Sequence, residues 1–157
     1  MHAVEFKSIE KSFGDHRVLT NVNLCADPGE VIALMGENGA GKSTLMRVLA
    51  GVYGASEYSG ELFLDGTVAR FKSVQDSKAA GVAMIHQELG LFPELTVAEN
   101  LLLEGLSGVD RLSIPWERLF SEAQSFLEGL SFNVDARRLV SDLSTGQAQL
   151  VEIARAL

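Results

Sequence analysis

Two strand-like runs at the start of the chain are separated by a turn. Ala3 to Ile9 and Arg17 to Cys25 carry the residues that strands favour, and Gly14-Asp15 lies between them. A further short strand, Glu61 to Asp65, is followed at once by Gly66, which completes a turn with Asp65. This part of the chain predicts an antiparallel β structure.

Two continuous apolar runs have a different pattern. Val31 to Met35 and Val82 to His86 are short, uninterrupted and flanked by polar or glycine residues. Such runs are typical of parallel strands that are buried on both faces. We therefore expect both segments to lie in a buried parallel sheet, within an α/β part that spans residues 1–87.

Helical periodicity dominates the second half, residues 88–157. Thr96 and Glu99 form a capping-box pattern before Val97 to Leu103. Trp116 to Leu130 places its apolar residues on one face, and Ala148 to Leu157 repeats such a stripe. These patterns predict a mainly helical part that follows the α/β part.

One loop between the first apolar run and a helix fits the phosphate-binding pattern G-x-x-x-x-G-K-[ST]. The segment after it, Leu45 to Gly51, reads as a helix that ends at a glycine. A strand, a glycine-rich loop and a helix in this order form the context that supports the motif. The loop consists of Gly36, Glu37, Asn38, Gly39, Ala40, Gly41, Lys42, Ser43 and Thr44.

The residue types of this loop suit phosphate chemistry. Gly36, Gly39 and Gly41 allow positive φ and close approach of the backbone to a ligand. Their N–H groups, with those of the helix start, form a nest for an anion. The Lys42 ammonium can reach the β- and γ-phosphates of a nucleotide, and the Ser43 hydroxyl can ligate Mg²⁺. The simpler alternative is a glycine-rich turn before a helix.

Three single residues are candidates on weaker grounds. Phe13, just before Gly14, could belong to the core or could stack on a purine base. Gln87 follows an apolar run at the end of a predicted strand, where ligands bind in open α/β sheets. Ser144 can cap the last helix, so that its hydroxyl and the helix N–H groups form a second anion site.

Composition narrows the class of protein. The 157 residues carry a formal net charge of −8, which disfavours nucleic acid as a partner. Cys25 is the single cysteine, so an internal disulfide is excluded, and we expect it to be a small buried side chain. No signal-peptide pattern and no apolar run of about 18 residues is present. We expect a cytosolic chain, or the cytosolic part of a larger protein.

Three motifs together resemble the nucleotide-binding domain of an ATP-binding cassette (ABC) ATPase. More narrowly, Gly36 to Met46, Met84 to Leu89 and Val151 to Leu157 are similar to the ATPase subunits of bacterial ribose, xylose and galactose importers. The resemblance extends over the whole chain. The motifs stand in the order Gly36 to Thr44, Ile85 to Leu89, and Leu143 to Gln147.

The resemblance implies a role for each candidate. Phe13 matches the aromatic residue that stacks on adenine, and Gly36 to Thr44 match the phosphate loop. Gln87 matches the glutamine that reaches Mg²⁺ and the attacking water and senses the membrane partner. Ser144 and Gly146 match the signature residues that contact the γ-phosphate of ATP held by the opposite domain.

The resemblance also implies an incomplete domain and a set of partners. The fold would be a P-loop NTPase core with an antiparallel β part and a helical subdomain, truncated before the Walker B strand with its acidic pair. Without that pair and the switch histidine, we expect these residues to hydrolyse ATP negligibly on their own. The implied partners are transmembrane permease subunits, a second nucleotide-binding domain and, indirectly, a periplasmic sugar-binding protein. The implied location is the inner face of the cell membrane.

The missing strands lead to a further expectation, and three alternatives stay open. A sheet edge left unpaired near either apolar run would favour self-association. A small-molecule kinase with the same loop would lack the Leu143 to Gln147 signature. An ABC protein that acts on DNA or ribosomes is disfavoured by the net charge of −8. The chain could also bind nucleotide without hydrolysing it.

Overall fold

The computed structural model describes residues 1–85, 90–102 and 115–157. The chain divides into two compact units, Met1–Ala83 and Met84–Leu157, and each is described by itself. The boundary expected between residues 87 and 88 stays a prediction, because residues 86–89 lie outside the described part.

The first unit is built on a four-stranded antiparallel sheet in the order β2-β1-β3-β4. The predicted hairpin at the start of the chain is confirmed, as is the turn at Asp65-Gly66. The four strands are β1 (Val4–Phe13), β2 (His16–Ala26), β3 (Ser59–Leu64) and β4 (Thr67–Ala69).

The sheet register brings the far end of β1 close to the start of β2. Lys11 pairs with Leu19, and Phe13 pairs with His16 across the Gly14-Asp15 turn. The strand is irregular near Ser8, whose carbonyl oxygen lies 2.4 Å from where a Cβ on Gly60 would be. Gly60 also has a φ of +93°, so only glycine fits without strain at this point of β3, next to Ser8 of β1.

Two helices complete the first unit. Helix α1 spans Lys42–Leu49 and α2 spans Val74–Ala79. Gly51, with a φ of +69°, follows the end of α1 as predicted. The core between helix and sheet consists of Phe6, Ile9, Leu19, Leu45, Val48, Leu62 and Phe71.

Two predicted strands are absent from the described residues, which corrects the expectation of a buried parallel sheet. Val31 to Met35 forms no strand, and Val31 and Met35 are 95% and 89% exposed. Residues 82–85 form no strand either, and Ile85 is exposed. A parallel strand needs a neighbour that accepts its backbone hydrogen bonds, and no described strand pairs with either segment. The open sheet edge expected at these segments is therefore also absent from the described residues.

The second unit is helical, as the periodicity predicts. Its described residues form α3 (Val97–Leu102), α4 (Trp116–Gly129) and α5 (Thr145–Ala156), with a 3₁₀ turn at Val140–Asp142. The capping box before α3 is confirmed, because the Thr96 N–H donates to the Glu99 carboxylate (2.8 Å) and the Glu99 N–H donates to the Thr96 hydroxyl (3.2 Å). None of the described helices is long and apolar enough to cross a membrane.

One apolar core joins the three described helices of the second unit. The predicted stripe of α4 is buried at its centre, whereas Phe126, also expected on that face, is exposed. The buried residues are Val97, Ala98, Leu119, Ala123, Leu127, Val134, Ala136, Val140, Val151 and Ala154.

A single buried amide fixes the segment before α3. The Asn100 side chain accepts from the Phe92 N–H (2.7 Å) and donates to the Phe92 and Thr96 carbonyl oxygens (both 3.0 Å). The side chain is 1% exposed, so these bonds satisfy a polar group that burial would otherwise penalise.

Candidate functional site

The loop Gly36 to Thr44 follows the segment 31–35, and its last three residues form the start of α1. Gly36, Gly39 and Gly41 have φ angles of +152°, +85° and +90°, so each adopts a conformation that side chains disfavour. The Ala40 N–H donates to the Glu37 carbonyl oxygen at 3.2 Å, which closes a turn inside the loop. Glu37, Asn38 and the rest of the loop up to Ala40 are exposed.

Gly41 anchors the end of the loop to β2. A Cβ on Gly41 would lie 2.8 Å from Cδ2 of Leu19 and 3.0 Å from the carbonyl oxygen of Val18. The missing side chain therefore lets α1 begin directly against the strand. The Leu45 N–H then donates to the Gly41 carbonyl oxygen at 2.9 Å and closes the first helical turn.

The Lys42 side chain folds back over the loop. Its Nζ donates to the carbonyl oxygens of Gly36 and Glu37, both at 2.7 Å. An ammonium group has three donors, so two of them hold the loop and one is left for a further acceptor. The positive charge is thereby fixed at the mouth of the loop, beside the start of α1.

The first turn of α1 supplies the remaining polar groups. Lys42, Ser43 and Thr44 open the helix, and the N–H groups of a first turn have no acceptor inside the helix. Ser43 is exposed and Thr44 is half-buried. The loop contains glycine backbone, a fixed ammonium and an exposed hydroxyl, and this donor set fits a polyphosphate with its Mg²⁺.

No cluster of three or more His, Cys, Asp or Glu side chains that could hold a metal occurs within residues 1–85, 90–102 and 115–157. A metal at this site would therefore be held by the Ser43 hydroxyl and the phosphates of the nucleotide, together with any ligand outside those ranges. This arrangement is the way Mg²⁺ is usually held at phosphate sites, with few protein ligands.

Phe13 lies at the end of β1 in the same unit as the loop. Its ring is 43% exposed, so it is not part of the core, and the core alternative for this residue is wrong. The ring makes an edge contact with Tyr53, with centroids 5.5 Å apart. A half-exposed aromatic ring is available for stacking on a planar ligand.

Sequence reasoning missed the two neighbours of Phe13, Lys11 and Tyr53. Lys11 is 7% exposed, and its Nζ lies over both the Phe13 and the Tyr53 ring. Side chains two residues apart on a strand lie on the same face, so the sequence could have predicted that Lys11 is next to Phe13. Tyr53 follows α1 and had none.

Gln87 lies outside the described residues, so its predicted role stays a prediction. Gly90, which follows the undescribed segment 86–89, is hydrogen-bonded within its own unit. The Arg155 guanidinium on α5 donates to its carbonyl oxygen at 2.6 Å.

The predicted signature lies at the start of α5 in the second unit. Ser144 is the N-cap: its hydroxyl accepts from the Gln147 N–H (3.3 Å), and the Gln147 side chain accepts from the Ser144 N–H (3.2 Å). Ser144 and Gly146 are both exposed. A Cβ on Gly146 would meet no atom within 4 Å, so nothing in its own unit requires a glycine there.

Cys25, expected to be buried, is exposed. The reason is its position on β2, the outermost strand of the sheet on that side, where one face and one edge are open.

Comparison with known proteins agrees with these motifs. The family model described as "ABC transporter" matches residues 19–157. A xylose import ATP-binding protein, XylG, of Geobacillus kaustophilus is 46% identical over 156 residues, which is 99% of this chain and 31% of that protein. A ribose import ATP-binding protein, RbsA, of Caldanaerobacter subterraneus is 46% identical over 155 residues, 98% of this chain and 31% of that protein.

Solved structures give the same result for the fold. The crystal structure of a nucleotide-free ATP-binding cassette from an ABC transporter superposes with a TM-score of 0.81 at 30% identity, and covers 99% of this chain and 64% of that chain. The chain spans about 31% of the length of the curated relatives it matches. The chain therefore belongs to the ABC transporter family, and its fold is that of the N-terminal part of an ATP-binding cassette.

Proposed function

We propose that this chain binds ATP with the phosphates in the loop Gly36 to Thr44. The observation that carries the proposal is the Lys42 ammonium, which two loop carbonyls hold at 2.7 Å beside the open first turn of α1. Three glycines with positive φ leave the loop backbone free of side chains on the ligand side. A negative polyphosphate gains from the ammonium, the backbone N–H groups and the helix dipole together.

Mg²⁺ would bind with the nucleotide at the Ser43 hydroxyl, and Gln87 is a candidate second ligand. The exposure of Ser43, directly after Lys42 in the first helical turn, supports this assignment. The ion supplies charge neutralisation of the β- and γ-phosphates. We assign Lys42 and Gln87 to the catalytic step of the complete protein.

Phe13 is the candidate for adenine stacking. It is half-exposed, it belongs to the hairpin on which Gly41 packs, and its ring is fixed by neighbours rather than free. Stacking on an aromatic side chain is one of the general ways in which proteins hold a base.

Ser144 and Gly146 form a second candidate anion site. At the open start of α5 the first-turn N–H groups are the candidate donors, and Gly146 leaves room for a close approach. The Ser144 hydroxyl donates to Gln147 Oε1 at 3.3 Å, so it would exchange this bond on binding an anion. Following the resemblance, this site would contact ATP that is held by a second nucleotide-binding domain.

For the complete protein we propose that ATP binding and hydrolysis power sugar import. The support is that relatives at 46% identity are named as xylose and ribose import ATP-binding proteins. The partners would be transmembrane permease subunits, a second nucleotide-binding domain and, indirectly, a periplasmic sugar-binding protein. The protein would lie in the cytoplasm, bound to the inner face of the membrane through the permease.

These 157 residues alone are expected to bind ATP without sustained hydrolysis. The resemblance places the acidic pair that polarises the attacking water after the signature helix, and no such pair follows it in this sequence. Sustained turnover that disappears in Lys42→Ala would contradict this expectation.

The binding proposal is tested by calorimetric titration of the chain with Mg–ATP. Lys42→Ala should weaken binding at least about 30-fold, since it removes a fixed charge from the phosphate site. Lys7→Ala is the matched control, because Lys7 is a partly exposed lysine of the same unit whose ion-pair partner is Glu5. Equal affinity of the wild type and Lys42→Ala would overturn the proposal.

The transport proposal is tested in the source cells with the Lys42→Ala change in the native gene. Uptake of radiolabelled xylose, ribose, arabinose and galactose is compared with that of the parent strain. Loss of one or more uptakes is expected, and unchanged uptake of all four would contradict the assignment.

A further inference from the structure

A buried ammonium joins the two aromatic rings next to the candidate nucleotide site. Lys11 Nζ lies 5.1 Å from the centroid of the Phe13 ring and 4.6 Å from that of Tyr53. It donates to the Glu57 carbonyl oxygen at 2.6 Å, and the Glu57 carboxylate is 3.7 Å away. Only 7% of the Lys11 side chain is exposed, so little of it meets solvent.

Burial makes this arrangement rigid. An ammonium that is 7% exposed is costly unless its donors are satisfied, so Lys11 cannot leave its partners without a penalty. The two rings make an edge contact at 5.5 Å and an interplanar angle of 64°, which is a favourable aromatic geometry. Cation–π attraction adds to the contact on both rings.

The same group of residues is tied to the phosphate loop through the hairpin. Lys11 pairs with Leu19, and Leu19 Cδ2 is the atom that excludes a side chain at Gly41. Phe13 is two residues further along the strand, where it pairs with His16. The position of the Phe13 ring is thus defined relative to the end of the phosphate loop by one β-hairpin.

We propose that Tyr53 and Lys11 are positioning residues that hold the exposed ring of Phe13 in place for a nucleotide base, and so determine the base-dependent part of the affinity. The inference rests on the proposed binding of ATP and adds two residues to it. Lys11 covers one face of the Phe13 ring, yet the ring keeps 43% of its surface exposed for a ligand. A ring fixed in advance loses less conformational entropy when a base stacks on it.

The test compares Mg–ATP with inorganic tripolyphosphate, which has the phosphates but no base. Tyr53→Leu should weaken ATP binding about fivefold, the size of a typical aromatic-pair effect, and leave tripolyphosphate binding within about twofold. The conservative variant Tyr53→Phe keeps the ring and should bind ATP like the wild type. Unchanged tripolyphosphate affinity shows that the variant is folded at the phosphate loop.

A double-mutant cycle separates positioning from direct contact. Phe13→Leu should weaken ATP binding about tenfold or more, as expected for the loss of a stacked base. If Tyr53 acts through Phe13, adding Tyr53→Leu to Phe13→Leu changes the affinity by less than about twofold. Additive effects of the two substitutions would overturn the positioning role.

Tyr58→Leu is the matched control, because Tyr58 packs on the same core cluster but, among the described residues, makes no ring contact with Phe13. It should leave both affinities within about twofold. An equal loss of ATP binding in Tyr58→Leu and Tyr53→Leu would overturn the inference while the proposed function stands. A wild-type chain that binds neither ligand would overturn both.

Discussion

At the residue scale, the conformation of the loop Gly36 to Thr44 depends on two glycines, Gly39 and Gly41, that disfavour a side chain for different reasons. Gly41 combines a φ of +90° with a Cβ position only 2.8 Å from Leu19. Gly39 has a φ of +85°, but open space surrounds the place where its Cβ would be. A substitution at Gly39 therefore tests backbone strain alone, whereas a substitution at Gly41 tests strain together with steric exclusion.

Alanine substitution at these two glycines gives the first prediction. Gly39→Ala should lower the free energy of unfolding by about 1 kcal/mol, the cost of a left-handed conformation for a residue with a Cβ. Gly41→Ala should cost about 1–3 kcal/mol more, because the new methyl group overpacks against β2. Urea unfolding followed by circular dichroism measures both. Equal losses would contradict the packing role of Gly41.

Residue identity alone indicated the glycine-rich loop Gly36 to Thr44, whose role at a phosphate stays a prediction, but it did not indicate the buried polar residues. The loop is visible because glycine, lysine and serine stand at fixed spacing in one short segment. Lys11 and Asn100 are only 7% and 1% exposed, although both residue types usually lie on the surface. Their partners lie at Glu57 and in the segment 92–96, and local sequence contains no signal for contacts of that kind.

At the element scale, helix starts were predictable because their determinants are local. The capping boxes at Thr96 and Ser144 each involve residues three positions apart, and both form in the structure. Helix α4 was predictable from its apolar periodicity. The hairpin followed from its turn residues.

The two buried parallel strands that the sequence predicts are not formed by the described residues. An apolar run becomes a strand only when neighbouring strands accept its hydrogen bonds, and that condition lies elsewhere in the chain. For Val31 to Met35 no described strand provides it, and the run forms no strand and is largely exposed. The pattern indicated the composition of a strand but not the presence of its partner.

The N-cap of α5 gives the second prediction. Ser144→Ala removes the hydroxyl that accepts from the Gln147 N–H, and should lower the free energy of unfolding by about 1 kcal/mol. Ser141→Ala is the control, because Ser141 is also exposed but caps no α-helix. Urea unfolding of both variants is compared. A loss in Ser144→Ala no greater than that of Ser141→Ala would contradict the capping role.

At the scale of the whole molecule, exposed apolar side chains favour association of the chain with itself. Val31 and Met35 are almost fully exposed, and no strand of the described residues pairs with their segment. Such a segment offers both apolar surface and hydrogen-bonding groups to a second copy. The expected self-association would therefore rest on this exposed segment and not on the open sheet edge that the sequence led us to expect.

The third prediction follows from this surface. Light scattering at rising concentration should show a molar mass above the 16.9 kDa of one chain. The double substitution Val31→Ser and Met35→Ser should shift the distribution toward monomer, since it removes most of the exposed apolar area of the segment. A wild-type chain that stays monomeric at high concentration would contradict the prediction.

The central claim is that the phosphates of ATP bind at the loop Gly36 to Thr44. The most direct test is the change in backbone amide NMR shifts of the isotopically labelled chain, at low concentration, when Mg–ATP is added. The account predicts that the largest changes occur at Gly36 to Thr44, with smaller ones at Phe13, and that inorganic tripolyphosphate reproduces the former but not the latter. Saturable shifts confined to residues outside this loop, or no shifts with ATP in large excess, would contradict it.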